Sequence, residues 1–214
     1  MVRRFRKRSC GLKNLKKLVY LISPNRINNN FYQDLKKVLA YKNIAFFQLR
    51  LKKTKKNKII TIAKKIKRII KKQKIKFIIN DSVKIAKLIN ADGCHLGQND
   101  GSALEAKKYL KSKIIGITCH NSKTLAKNAM HNKVDYLAFG SFSKSRLKPN
   151  AKKANLKILR WAKKNTIKPI VAIGGINNLN YKKLVKAGAK YIAISSYIWD
   201  NPILKPELAI KKFK

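Results

Sequence analysis

Two carboxylates are candidates for chemistry because each follows closely on a short apolar run. Residues 77–79 lead into Asn80 and Asp81, and residues 93–97 lead into a polar segment that ends at Asp100. Carboxylate oxygens suit Mg²⁺, which usually takes one or two carboxylates and completes its coordination with water and phosphate oxygens. Each acid could instead cap the helix that follows it. Because the chain has 8 acids against 53 lysines and arginines, we interpret Asp81 and Asp100 as a metal-binding pair.

The spacing of apolar residues predicts the elements that position these acids. Short apolar runs alternate with segments of helical periodicity, as in residues 59–70, where isoleucines recur on one face. The runs are residues 18–22, 44–50, 75–79, 93–96, 114–118, 136–139, 169–173 and 191–195. Eight strands alternating with helices in 214 residues predict an α/β protein with a single (β/α)8 TIM barrel. An open doubly wound sheet is the alternative.

One domain accounts for most of the chain. We expect a basic N-terminal leader at residues 1–17 and a barrel catalytic domain at residues 18–214. The leader lacks the apolar core of a secretory signal, and no apolar run approaches the roughly 20 residues of a membrane helix. A cytoplasmic protein without membrane attachment is therefore expected. The three cysteines share no paired spacing, which indicates reduced and mostly buried thiols.

The net charge of +45 raises the question of a nucleic-acid partner. The lysines, however, are spread over almost every helical segment, and isoleucine and asparagine are abundant throughout, which is typical of a bias in overall composition. We therefore expect lysine on solvated faces and small-molecule substrates, with a basic nucleic-acid-binding protein as the non-enzymatic alternative. The sequence leaves the oligomeric state open and is compatible with a homo-oligomer.

Polar residues gather at the carboxyl ends of the expected strands, where TIM-barrel active sites lie. They are Gln48, Arg50, Lys52, Asn80, Asp81, Gln98, Asp100, Thr118, His120, Ser145, Lys148, Gly174, Gly175, Ser195 and Ser196. This convergence favours an enzyme. Arg50 and Lys52 are two residues apart and project to the same side of an extended chain, where arginine can bind a phosphate through two parallel hydrogen bonds. Plain surface charge is the alternative for Lys52.

The last two strands end in a pattern that suits a phosphate. Gly174 and Gly175 let backbone amides approach a phosphate group after the seventh strand, and Ser195 and Ser196 add hydroxyls and amides after the eighth. These two loops are the usual phosphate position in barrel enzymes.

Two histidines have different expectations. His95 lies within the short fourth strand, so we expect it in the core. His120 follows the fifth strand and could be an acid or base or a structural residue.

These segments resemble the thiamine phosphate synthase family. The similar motifs are FIINDSVKIAKLINADGCHLGQND at residues 77–100, QLRLK at 48–52, IIGITCH at 114–120, DYLAFGSF at 135–142, VAIGGI at 171–176 and AISSYI at 193–198. They occur in the family order and cover most of the chain after about residue 18. The resemblance implies a (β/α)8 transferase that uses Mg²⁺ to join a pyrimidine methyl diphosphate to a thiazole phosphate, with release of pyrophosphate.

The resemblance also implies roles for individual residues. Asp81 and Asp100 would hold Mg²⁺. Substrate-binding residues would be Gln48, Leu49, Arg50, Leu51, Lys52, Asn80, Thr118, Ser145, Lys148, Gly175, Ser195 and Ser196. Among them the catalytic residues would be Arg50, Lys52, Thr118 and Lys148, with Lys148 at the departing pyrophosphate. Gly175, Ser195 and Ser196 would hold the thiazole phosphate.

One segment departs from the family pattern. Where the family usually has Thr-x-Thr-Lys, residues 145–148 read Ser-Arg-Leu-Lys, so the side chain of Leu147 cannot hydrogen-bond and Arg146 is a candidate to compensate. A thiazole tautomerase is the enzymatic alternative, since it shares the barrel and a histidine at the position of His120. That enzyme generally lacks the GQxD segment, so Gln98 and Asp100 favour the synthase.

Overall fold

The eight apolar runs form parallel strands that close into a barrel in sequence order, as the sequence predicted. The structure is a computed structural model in which residues 17–143 and 153–214 are described. The strands are β1 (Val19–Ile22), β2 (Ile44–Leu49), β3 (Lys76–Asn80), β4 (Gly93–Leu96), β5 (Ile114–His120), β6 (Tyr136–Phe139), β7 (Ile170–Ile173) and β8 (Tyr191–Ile194). Because β1 pairs with both β2 and β8, the open doubly wound alternative is wrong.

Helices follow the strands around the outside of the barrel. They are α1 (Phe31–Leu39), α2 (Lys56–Ile70), α3 (Val83–Leu88), α4 (Ala103–Leu110), α5 (Lys123–His131), α6 (Leu156–Asn165), α7 (Tyr181–Lys186), α8 (Ser196–Trp199) and α9 (Pro206–Ala209). A 3₁₀ turn at Ile210–Lys212 follows α9. The helix α8 was not predicted from the sequence, because a single turn is too short to show helical periodicity.

Side chains of the strands alternate between two apolar layers. In β1, Val19 and Leu21 pack toward the helices, whereas Tyr20 and Ile22 belong to the cluster inside the barrel. Both faces of the strands are buried, and this is why they read as continuous apolar runs rather than as alternating ones. Inward-facing residues near the carboxyl ends of the strands therefore meet around one opening.

Aromatic rings fill the barrel below that opening. Tyr20 stacks on Phe46 with ring centroids 5.0 Å apart and meets the edge of Tyr136 at 5.7 Å. Gly116 leaves the space for Tyr136, because a Cβ atom at Gly116 would lie 1.9 Å from Cζ of that ring. The plug of rings sets the floor of the cavity above it.

The cysteine prediction is confirmed for the two cysteines that the structure describes. Cys94 and Cys119 are buried free thiols, and burial raises the pKa of each to about 12. Cys10 and residues 1–16 of the expected leader lie outside the described residues. Across the described ranges, every helix is too short or too polar to cross a membrane.

Candidate active site

A cavity of about 980 Å³, including part of its open mouth, lies at the carboxyl ends of the strands. It is within the size range of small-molecule sites. The structure brings together most of the predicted site residues around it. Those lining the cavity are Gln48, Arg50, Lys52, Asn80, Asp81, Asp100, Thr118, Gly174, Gly175, Ser195 and Ser196.

Two predicted substrate contacts do not reach the cavity with their side chains. Leu49 and Leu51 are 2% and 8% exposed and belong to the apolar layer between barrel and helices. Successive residues of an extended chain point to opposite sides, so when Gln48 and Arg50 face the cavity the intervening leucines face away. Leu49 and Leu51 could contact a substrate only through their backbone, and their predicted role in substrate binding stays a prediction. Ser145 and Lys148 lie outside the described residues, as do Arg146 and Leu147, and their roles stay predictions.

Asp81 and Asp100 are not helix caps. The side-chain oxygen of Ser82 accepts a hydrogen bond of 3.2 Å from the third residue of α3, and that of Ser102 accepts one of 3.4 Å from the third residue of α4. The serines therefore perform the capping role that was the alternative for the two acids. Asp81 also has a φ of +63°, a left-handed conformation that side chains other than glycine adopt rarely. Both acids line the cavity, where Asp100 Oδ2 accepts a hydrogen bond from the Gly97 amide at 2.8 Å and Asp81 pairs with Lys52.

The environment of the two carboxyl groups fits a shared cation. Burial raises the pKa of Asp81, and a hydrogen bond to Asp100 raises it further. The ammonium of Lys52, which lies 3.0 Å from the Asp81 carboxylate, opposes this rise. Two carboxylates this close repel unless a proton or a cation lies with them. Among the residues that the structure describes, no cluster of three or more His, Cys, Asp or Glu side chains forms a complete metal cage. A hard ion that also takes oxygen ligands from water and phosphate, as Mg²⁺ does, suits this pair.

Arg50 and Lys52 provide the positive side of the cavity. Arg50 Nη1 donates to Asn25 Oδ1 at 3.3 Å, and its backbone N–H donates to the hydroxyl of Ser23 at 3.0 Å, which fixes the strand end. Burial lowers the pKa of Arg50, with Asp81 opposing the shift, but an arginine keeps its charge at neutral pH. Lys52 is half exposed and can move between Asp81 and a ligand.

A pair of amides lies beside the acids. Gln48 is 2% exposed, and its Nε2 donates to Asn80 Oδ1 at 3.0 Å. This bond orients the Gln48 carbonyl as an acceptor and the Asn80 amide as a donor. The two side chains can therefore recognise a ring that carries both an amine and an acceptor nitrogen.

The loop after β7 brings backbone close to the cavity. Gly174 and Gly175 have φ values of +98° and +62°, and a Cβ atom at Gly174 would lie 2.0 Å from the hydroxyl of Ser141. Asn180 Nδ2 donates to the Gly175 carbonyl at 2.8 Å and holds the loop from the start of α7. At Gly174 only glycine fits without strain, so the backbone there comes close to the cavity.

The loop after β8 begins a short helix at the cavity. Ser195 is the residue before α8, and its hydroxyl donates to the Ser23 carbonyl at 2.9 Å. The first amides of α8, beginning at Ser196, have no partner within the helix. Loops after the seventh and eighth strands together with a short extra helix form a common phosphate site in barrel enzymes. Both loops line the cavity here, and α8 is the short extra helix, which was not predicted from the sequence.

His95 was expected in the core, and it is buried, at 7% exposure, but it also lines the cavity. Its Nε2 lies 2.9 Å from Thr118 Oγ1 and its Nδ1 lies 2.9 Å from the Tyr136 hydroxyl. Alternation within β4 could have revealed this, since Cys94 and Leu96 pack toward the helices and leave His95 facing inward.

His120 lies at the exposed end of β5 and is not among the residues that line the described cavity. The pairing of β5 with β6 shifts register between Thr118 and His120, and His120 has a φ of +51°. Such an irregularity re-aims the side chains that follow it. The structure therefore separates His120 from Thr118, although both had been grouped at the same strand end. Ile22 and Ser141 also line the cavity, and the sequence analysis did not select either for the site.

A closed parallel barrel with these polar strand ends defines a TIM-barrel enzyme that can take a phosphorylated small molecule. Comparison with known proteins then gives the family. Residues 19–198 match the family described as thiamine monophosphate synthase. The chain belongs to this family and is an enzyme of the transferase class.

The similarity extends over nearly the full length of relatives. A thiamine-phosphate synthase of Pelagibacter ubique is 57% identical over 201 residues, which are 93% of this chain and 97% of that protein. One of Erythrobacter litoralis is 38% identical over 86% of this chain and 88% of that protein. The solved structure of a thiamine phosphate pyrophosphorylase from Pyrococcus furiosus superposes with a TM-score of 0.82 at 26% identity, covering 92% of this chain and 94% of that one.

Proposed function

We propose that this enzyme joins hydroxymethylpyrimidine diphosphate to thiazole phosphate in a Mg²⁺-dependent reaction that yields thiamine phosphate and pyrophosphate. Family membership supports the activity. The observation that carries the substrate assignment is that one cavity is lined on two sides by groups that can bind anions. The acids and cations come from β2 to β4, and the glycine and serine loops follow β7 and β8, across the barrel. Two phosphorylated substrates can then meet between them.

The first side suits the diphosphate. Arg50 can bind phosphate oxygens through two parallel hydrogen bonds, and Lys52 can exchange Asp81 for a phosphate. Mg²⁺ held by Asp81 and Asp100 would neutralise negative charge on the diphosphate. The amides of Gln48 and Asn80 lie beside this group and offer an acceptor and a donor to the aminopyrimidine ring.

The second side suits the thiazole phosphate. Amides of the loop at Gly175 and of Ser196, the first residue of α8, can bind a phosphate, with the Ser196 hydroxyl beside them. The Ser195 hydroxyl already donates to the Ser23 carbonyl. Ser195 can therefore donate to the phosphate through its backbone N–H rather than through its hydroxyl. When the phosphate is bound here, the thiazole ring extends toward the centre of the cavity.

The reaction balances without a proton acceptor. The bond between the pyrimidine methylene carbon and the diphosphate oxygen breaks, and both electrons leave with pyrophosphate. The lone pair of the thiazole nitrogen then forms the new carbon–nitrogen bond, and the ring becomes a thiazolium cation. The protein must therefore stabilise charge growing on the leaving group and hold the second substrate in line. Arg50, Lys52 and Thr118 line the cavity, and their cationic groups and hydroxyl can stabilise this charge.

The tautomerase alternative receives less support from the site. Its histidine corresponds to His120, which lies on the exposed end of β5 and not among the residues that line the cavity. The acids at Asp81 and Asp100, which a proton shift on a thiazole does not require, do line it.

The test is a reaction with purified protein, both precursors and Mg²⁺, in which thiamine phosphate and pyrophosphate are measured by mass spectrometry. We expect equal amounts of the two products and none when either precursor is omitted. A folded protein that forms neither product contradicts the proposal. A parallel reaction with the thiazole carboxylate tautomer alone identifies a tautomerase if the double bond migrates.

A further inference from the structure

We propose that Tyr136, below the cavity floor, is a positioning residue that sets the direction of the Thr118 hydroxyl through His95. In this arrangement Tyr136 donates to His95 Nδ1, His95 Nε2–H donates to Thr118 Oγ1, and the hydrogen of Thr118 points to a phosphate oxygen of the substrate diphosphate. The inference rests on the proposed function, because it assigns the ligand that Thr118 meets.

A continuous chain of hydrogen bonds carries this inference. The hydroxyls of Tyr20 and Tyr136 are 2.7 Å apart. The Tyr136 hydroxyl lies 2.9 Å from His95 Nδ1, and His95 Nε2 lies 2.9 Å from Thr118 Oγ1. Tyr20 and Tyr136 are each 2% exposed, so their hydroxyls are shielded from bulk water. His95 and Thr118 line the cavity, and Thr118 is the end of the chain that can meet a ligand beside the cations.

Each phenol in the chain has a single hydrogen to donate. Burial raises the pKa of both Tyr20 and Tyr136 far above the ordinary value, so both stay neutral. A neutral imidazole likewise has one N–H and one acceptor nitrogen. The chain therefore has two self-consistent directions, which differ in where every hydrogen lies.

The two directions give Thr118 opposite properties. If Tyr20 donates to Tyr136 and Tyr136 donates to His95, then Nε2 carries the histidine hydrogen and Thr118 keeps its own hydrogen for a ligand. If the direction is reversed, Thr118 donates to Nε2 and presents only lone pairs. Lone pairs facing a diphosphate are repulsive, whereas an O–H donor to a charged oxygen is a strong hydrogen bond. An anionic substrate therefore selects the first direction.

The packing holds Tyr136 where this bond can form. The rings of His95 and Tyr136 are nearly parallel, with an interplanar angle of 11°. Gly116, directly opposite His95 and Tyr136 in the strand pairing, provides the space for the phenol ring. Any side chain at Gly116 would displace the ring. The floor of the barrel thus fixes the donor that orients His95.

A double-mutant cycle tests the inference. Tyr136→Phe removes the donor to His95 and is expected to lower kcat about tenfold, the effect of about one hydrogen bond, with the KM for thiazole phosphate unchanged. In a Thr118→Val background the same change is expected to alter kcat less than about twofold, because coupled residues are not additive. Equal effects of Tyr136→Phe in both backgrounds overturn the inference, since they indicate general damage to the barrel.

Two further tyrosine variants serve as controls. Tyr181→Phe removes a buried hydroxyl that donates to the Lys214 carbonyl at 3.0 Å on the outer side of the barrel, and kcat is expected to stay within about twofold. Tyr20→Phe leaves Tyr136 with His95 as its acceptor, so the proposed direction is retained and kcat changes little. A loss in Tyr20→Phe equal to that in Tyr136→Phe contradicts the proposed direction.

A measurement without turnover separates this inference from the proposed function. The ¹⁵N chemical shifts of His95 report its tautomer in the wild-type protein. Hydrogen on Nε2 is expected, with part of the population moving to Nδ1 in Tyr136→Phe. Hydrogen on Nδ1 in the wild type overturns the inference even if thiamine phosphate is made. If His95 carries its hydrogen on Nε2 but the protein makes no thiamine phosphate, the proposed hydrogen-bond direction is supported. Only the assignment of the diphosphate as the ligand of Thr118 is then contradicted.

Discussion

The ammonium of Lys52 lies 3.0 Å from the carboxylate of Asp81 at the mouth of the barrel. A metal-bound diphosphate needs a carboxylate for the metal and a cation for the phosphate oxygens, and this pair provides both. Lys52 compensates Asp81 in the free site, and it can turn to a phosphate when a cation replaces it at the carboxylate. Since the Lys52 side chain is half exposed, the pair is screened by water and can separate at low cost.

Asp81 is expected to destabilise the metal-free protein at neutral pH. Burial and the neighbouring Asp100 raise its pKa. A carboxyl group whose pKa is raised by folding stabilises the fold while it is protonated, and that contribution is lost as the pH rises through the folded pKa. Without divalent cations, Asp81→Asn is therefore expected to raise the melting temperature at pH 7, with the difference closing toward pH 4.

Calorimetry of the two proteins across this pH range makes the comparison. Millimolar Mg²⁺ should stabilise the wild type more than Asp81→Asn, because a bound ligand stabilises the folded state. A lower melting temperature for Asp81→Asn at pH 7 in metal-free buffer contradicts the account of the carboxyl pair.

Arg50→Lys tests the two-point grip on the diphosphate. Lysine keeps the charge but lacks the planar fork of arginine, so one of the two hydrogen bonds is lost. We expect the KM for the pyrimidine diphosphate to rise about tenfold, with little change in the KM for thiazole phosphate. Steady-state kinetics with each substrate varied in turn measure this. Arg160→Lys, on the exposed face of α6, is the matched control, and a similar loss there argues against the assignment.

The barrel and the location of its site could be predicted from the sequence because both depend on local signals. Each strand is buried on both faces and reads as an apolar run, and residues at adjacent strand ends must meet in a parallel barrel. Asp81, Asp100 and Arg50 were found in this way. The one-turn helix α8 carries no periodicity and was missed.

Contacts that depend on strand register could not be predicted in the same way. His95 touches Thr118 and Tyr136, which are 23 and 41 residues away, and only the pairing of β4, β5 and β6 brings them together. The direction of the Leu49 and Leu51 side chains follows a simpler rule, since alternate side chains of an extended segment point to opposite sides. Both leucines face away from the cavity, and their predicted role in substrate binding stays a prediction.

The buried thiols are expected to be inert in the folded protein. Burial raises the pKa of Cys94 and Cys119 to about 12, so at pH 8 roughly one molecule in 10,000 carries a thiolate at either position. Iodoacetamide at pH 8 should modify them only after the protein is unfolded, as peptide mass spectrometry can show. Modification of Cys94 at equal rates in folded and unfolded protein is the contrary result.

Gly116→Ala should disrupt the floor of the barrel. Its Cβ atom would lie 1.9 Å from the ring of Tyr136, with the Ile117 and Ile115 neighbours fixed in β5. Overpacking of this kind is expected to lower the free energy of unfolding by about 3 kcal/mol or more. Urea unfolding measures the loss. Combining Gly116→Ala with Tyr136→Val should cost less than the sum of the two single changes, and strict additivity contradicts the contact.

The dependence of the rate on Mg²⁺ in Asp100→Asn tests the central claim most directly. Initial rates of thiamine phosphate formation are measured over a range of Mg²⁺ concentrations for the wild type, Asp100→Asn and Asp34→Asn, a control acid in the first turn of α1. We predict that Asp100→Asn lowers the rate at least about 100-fold and shifts the Mg²⁺ response to higher concentration, whereas Asp34→Asn behaves as the wild type. An Asp100→Asn protein with the wild-type rate and Mg²⁺ response contradicts the account.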